Sequence, residues 1–182
     1  MINANDLFLS GSIDSGNSST FISISDLGSI GIGNAEGDMS ISGSEFGNIK
    51  ANDLIIGNSS NGDITIDNVT AANSDNISGA VSLLTGGNIL IEGGASTFNA
   101  LNLQADGNIS ITSDLTVDTG DLNAIANFND DSSGSFKLAT DATLTSENNI
   151  SIQAEGITKS GEIVANGEIS IVDTTPPPVL EE

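Results

Sequence analysis

Apolar residues recur along this chain as pairs separated by one residue and introduced by glycine or asparagine. The clearest examples are Gly28-Ser29-Ile30-Gly31-Ile32, Gly62-Asp63-Ile64-Thr65-Ile66 and Gly87-Asn88-Ile89-Leu90-Ile91. Gly107-Asn108-Ile109-Ser110-Ile111 and Gly167-Glu168-Ile169-Ser170-Ile171 repeat them, with Gly37-Asp38-Met39-Ser40-Ile41 and Asn148-Asn149-Ile150-Ser151-Ile152 as variants. Alternation with period two puts both isoleucines on one side of an extended backbone and the middle residue on the other. The leading glycine supplies conformations that other residues avoid, so each phrase predicts a turn and then a short strand with one buried face.

The phrases are spaced regularly. One family of predicted strands begins at Val81, Leu101, Leu122, Ala142 and Ile163, in steps of 20, 21, 20 and 21. A second runs Ile89, Ile109, a degenerate member near Phe128, Ile150 and Ile169. A third comprises Ala95/Thr97, Leu115/Val117, Phe136/Leu138 and Ile157. Three families sharing one period predict a solenoid, because a single short repeat cannot bury its apolar face and must stack on its neighbours. The expected fold is all-β: a three-sided parallel β-helix of about 20 residues and three short strands per coil. Inward Ile, Leu and Val form columns, and outward Ser, Thr, Asn and Asp meet water. At ~4.8 Å per coil, about nine coils would make a rod of roughly 40 Å.

Upstream of Val81 the period loosens, and residues 68–76 and 127–135 read as corner insertions. The expected organisation is an irregular N-terminal coil or cap at 1–20, the β-helix at 21–172, and a Pro-rich linker or tail at 173–182. Pro176, Pro177 and Pro178 lack the donor that a ladder needs. Asn88, Asn108 and Asn149 each precede a strand isoleucine, with Asp38, Asp63 and Glu168 as variants, and are expected to hydrogen-bond along the stack. The six phenylalanines are expected at corners or ends.

Composition narrows the chemistry. The 182 residues carry 3 Lys+Arg and 25 Asp+Glu, a formal net charge of −22, with no His, Cys, Trp or Tyr. All three cations are lysines. The usual general base, the thiolate nucleophile, the zinc ligands and the guanidinium clamp are therefore missing. Such an acidic chain does not suit nucleic acid or an anionic membrane. The patterning of its 24 isoleucines argues against disorder. No apolar run reaches the ~20 residues of a membrane helix, so membrane insertion is not expected. The first residues lack the basic and apolar regions of a signal peptide.

The Gly-Asn-Ile-x-Ile and Gly-Asp-Ile-x-Ile phrases at 20-residue spacing resemble, over about residues 20–172, the repeats of filamentous-haemagglutinin-type exoproteins of two-partner secretion. The resemblance implies a right-handed parallel β-helix, secreted or at the cell surface as part of a longer chain. It also implies a role in attachment, self-association or host contact; members begin with a signal peptide and a secretion domain, neither of which is found here, so the expectation is an interior or late segment. The expected partners are a protein or glycan at a cell surface, or another copy through the helix ends.

The densest acidic turn, Asn127-Phe128-Asn129-Asp130-Asp131, makes Asp130 and Asp131 the candidate ligands of a Ca²⁺-stabilised alternative. Neither the calcium β-roll nonapeptide nor the EF-hand pattern occurs, and Asn and Asp are ordinary turn residues. A glycan-binding solenoid is the related alternative. An enzyme is not expected: Lys50, Lys137 and Lys159 are scattered, and no Trp or Tyr offers a sugar platform. The outward residues Thr65, Leu90, Ser110, Ser151 and Ser170 do not form the threonine array of an ice-binding face.

Overall fold

A computed structural model of the chain describes residues 1–129 and 133–175. It is all-β and consistent with a parallel β-solenoid. Among the described residues the strands form sheets of eight, seven, four and two, every pairing parallel. All seven phrases become strands: Ile30–Gly33, Met39–Ser42, Ile64–Asp67, Ile89–Glu92, Ile109–Ile111, Ile150–Ala154 and Ile169–Asp173.

From Val81 onward the chain visits three sheets in strict rotation. Strand Val81–Thr85 lies in the first sheet, Ile89–Glu92 in the second and Ser96–Phe98 in the third. The next round, Leu101–Ala105, Ile109–Ile111 and Leu115–Val117, pairs with it in register: Leu101 beside Val81, Ile109 beside Ile89, Leu115 beside Ser96. Inward residues stack into buried columns that merge into one continuous core, including Ile30, Ile64, Ile89 and Ile109 of the second sheet. Middle residues such as Asn102, Ser110 and Thr116 stay partly exposed.

The strand families change places after Leu122. Ala142 and Ile163, expected beside Leu122, lie at the start of and within the third-sheet strands Thr143–Ser146 and Glu162–Ala165. Ile150 and Ile169, expected beside Ile109, continue the first sheet above Leu122. Phe136, Leu138 and Ile157, expected in the third, continue the second. Phe128 is 44% exposed and joins no strand. The cause is the insertion within 127–135. Corner residues Asn88 and Asn108 are 20 apart, whereas Asn108 and its successor Ser135 are 27 apart. The surplus is about one strand and turn, so a fixed 20-residue period steps onto the neighbouring side.

The other expected insertion, 68–76, contains the short helix Ala71–Ser74. It stands where a third-sheet strand would be: the Thr97 amide donates to Val69 O at 2.7 Å and Ser74 Oγ to Thr97 O at 2.9 Å. An earlier helix, Gly43–Gly47, has a capping box in which Ser42 and Glu45 bond each other's backbone amides. It buries Phe46 edge-on to Phe98, ring centroids 6.2 Å apart. Phe98 and Phe136 are therefore core residues of strands rather than corner packing, while Phe8, Phe21 and Phe128 are exposed.

The second sheet also departs from simple advance at its N-terminal edge. Strand Met39–Ser42 folds back outside Ile30–Gly33, which lies between it and Ile64–Asp67. The reversal brings backbone against backbone at Gly31, where a Cβ would overlap the Ala35 carbonyl. Gly33 has φ +81 and lies against Asp67 O.

Candidate functional site

The polar ladders are the first arrangement the fold assembles. At the corner entering the second sheet, Asn88 N and Nδ2 donate to Asp63 Oδ1 at 2.7 and 3.0 Å. Asn108 repeats both bonds to Asn88 Oδ1 at 2.9 and 3.0 Å. Ser135 N and Oγ close the run on Asn108 Oδ1 at 3.0 and 2.6 Å. Corner amides point out of the sheets, so a side-chain oxygen from the preceding coil takes the place of the missing ladder acceptor.

Asn149 belongs to a different ladder from the one expected. It stands above Asp121, whose Oδ1 accepts its N and Nδ2 at 3.1 and 3.0 Å, and its own Oδ1 accepts Glu168 N at 2.8 Å. This is the corner entering the first sheet. Asp38 forms a third, local arrangement, taking the amide and hydroxyl of Ser29 at 2.9 Å each.

The acids with shifted titration are caps of the same kind. The Ser29 amide, helped by its hydroxyl, lowers Asp38. The Ala80 amide lowers Asp53 against the opposing effect of burial. At Glu45, burial pushes upward, but donors from Leu9 and Ser42 outweigh it and the carboxyl is lowered. Asp14 is lowered by the Gly16 amide and then by Lys50, its ion-pair partner at 3.4 Å. Asp173 is lowered to about 2, chiefly by the Thr175 hydroxyl and then by the Thr175 and Gly156 amides. Most of the lowering comes from backbone and hydroxyl donors at turns and between neighbouring strands, with the Lys50 ion pair adding to it at Asp14.

The candidate Ca²⁺ ligands Asp130 and Asp131 lie outside the described residues. Among the described residues no group of three or more acids is placed to hold a metal. Lys50, Lys137 and Lys159 do not converge: Lys50 pairs with Asp14, and Lys137 lies on the outer side of the second sheet. The five outward residues share no single face, because Thr65, Leu90 and Ser110 line the second sheet and Ser151 and Ser170 the first. A column of Thr97, Thr116 and Thr145 runs along the third sheet and ends at Val164.

The outer face of the first sheet was missed by the sequence reading. Its register aligns Phe21, Ile55, Ser82, Asn102, Asn123, Ser151 and Ser170 in one outward column. Leu84, Gln104, Ile125, Gln153 and Val172 form a second beside it. None of these residues is charged. The signal was present in the second and fourth residues of the five-residue strands, but it becomes a surface only once those strands share a sheet.

Comparison with protein-family models, with curated proteins and with solved structures returned no match.

Proposed function

We propose that the chain is a non-catalytic structural segment of a secreted or cell-surface exoprotein of filamentous-haemagglutinin type. In this reading it is a right-handed, three-sided parallel β-helix with coils of about 20 residues. It serves as a stiff rod that carries attachment to a protein or glycan, or self-association. The observation that carries the reading is the strict rotation of the chain through three parallel sheets from Val81 to Asp173. Stiffness follows from the physics of that arrangement: every coil is hydrogen-bonded to the next and its inward residues sit in one packed column. The acids support the reading, since their hydrogen bonds serve turns and corners.

Two measurements test it. Small-angle scattering, fitted per protomer whatever the oligomeric state, should show elongation along the stack, about 35–40 Å for eight first-sheet strands at ~4.8 Å. An antibody to residues 81–172 should detect the polypeptide in surface or medium fractions, in a band far larger than 18.3 kDa. A band of that mass confined to the cytosol refutes the exoprotein reading.

A further inference from the structure

We infer that the outer face of the first sheet is a self-association surface on which a second copy of this chain docks side by side. The inference rests on the rod reading above and names the surface through which self-association occurs. The face is the outward side of seven strands, from Thr20–Ile24 to Ile169–Asp173. It carries no charge in a molecule of net charge −22. Acids instead border it: Asp53, Asp121 and Glu168 precede its strands, while Asp106 and Glu155 follow them. A neutral core inside a charged rim is the composition of a protein interface.

Two of the amides at its centre are bonded within the face. Asn102 Nδ2 donates to Ser82 Oγ at 3.1 Å, and Asn123 Nδ2 to Asn102 Oδ1 at 3.0 Å. Their dehydration breaks few bonds to water, and the amide stems, Leu84 and Ile125 remain to make contact. A glycan would find no aromatic platform here, and the Ser82–Asn102–Asn123 ladder spends part of the face's hydrogen-bonding capacity internally. A basic partner would settle on the acidic corners. The size also fits a second copy. Seven strands ~4.8 Å apart and five residues long at ~3.3 Å each present about 550 Å². Two copies would bury about 1,100 Å², which clears the ~1,000 Å² floor for a biological interface and sits at the small end of the range.

The end of the stack is less suited to a second copy. In register, Lys159 stands above the buried Leu138 and Asp173 above the buried Ala154. End-to-end stacking would enclose both charges in columns that are apolar below them.

Sedimentation equilibrium of the purified chain tests the assignment at about 0.02 M and about 0.5 M NaCl, where screening differs several-fold. The rims repel, so dimer should form and should strengthen with salt. Ile125→Glu should raise the dimer dissociation constant at least ~10-fold, because like charges then meet at the interface centre. Thr116→Glu, on the third sheet, should leave it unchanged. Circular dichroism checks that each variant folds; if Ile125→Glu does not, Gln104→Glu carries the same test. A chain monomeric in both salts up to hundreds of micromolar overturns the inference. So does unchanged affinity in Ile125→Glu, or a neutral glycan that binds the monomer and is lost in that variant. An elongated monomer would overturn this inference alone, whereas a particle without elongation would overturn the rod reading as well.

Discussion

Asn88→Asp isolates the corner ladder almost atom for atom. The substitution replaces the Nδ2 donor, 3.0 Å from Asp63 Oδ1, by a carboxylate oxygen and leaves shape and helical or strand preference nearly unchanged. One net hydrogen bond is lost, about 1 kcal/mol. Two unit charges 3.0 Å apart repel by about 1.4 kcal/mol even in the dielectric of bulk water, the appropriate limit for this exposed pair. The expected loss is about 2–2.5 kcal/mol at neutral pH, a fall of roughly 5–10 °C in melting temperature for a chain of this size. The sign of the pH dependence follows from linkage. The folded variant holds two carboxylates closer than the unfolded chain does, so it binds a proton more readily. The deficit relative to wild type therefore shrinks as pH falls through the carboxylate range near ~4. Thermal melts of wild type and variant at neutral and acid pH measure both effects. Equal melting temperatures at neutral pH, or a deficit that does not change on acidification, would refute the ladder.

The core, the strained glycines and the terminal cap offer three further tests. Ile111→Ala removes a fully buried side chain in the second sheet and should destabilise by about 2–5 kcal/mol in urea titration, while Ser110→Ala beside it should stay within ~0.5 kcal/mol. Gly33→Ala should unfold or severely destabilise the chain, because φ +81 and the Asp67 carbonyl both oppose a Cβ; Gly11→Ala, with open space around it, should be neutral or slightly stabilising by calorimetry. The folded carboxyl of Asp173 titrates at about 2, below its ordinary 3.8, so its stabilisation is present above that ordinary value and fades as pH falls toward 2. An NMR titration should find that midpoint low, and Thr175→Ala should move it back up.

Which residues turn inward was legible because β-alternation is local: Ile109 and Ile111 face the core by virtue of neighbouring positions alone, and all seven phrases became strands. The Asp63–Asn88–Asn108 run was equally visible, since its members sit at constant offset from a strand. Asn149 lies in another ladder and Ile150 in another sheet than the spacing predicts for a single reason: both follow the 127–135 insertion. The helix Ala71–Ser74 was hidden for a related reason. Four residues are too few for a helical period, and this turn stands through its bonds to Thr97 rather than through propensity.

Sequence alone thus determined the all-β, parallel architecture, the inward alternation within each strand and the acidic composition, because these depend on alternation, turn residues and counted charges. Tertiary structure decided which strands share a sheet beyond Leu122, since a corner insertion about one side long permutes the sides without disturbing any strand. It also decided that Ser82, Leu84, Asn102, Gln104, Asn123 and Ile125, distant in the chain and individually ordinary, form one uncharged face. Only hydrogen-bonded register sums separate middle positions into a surface.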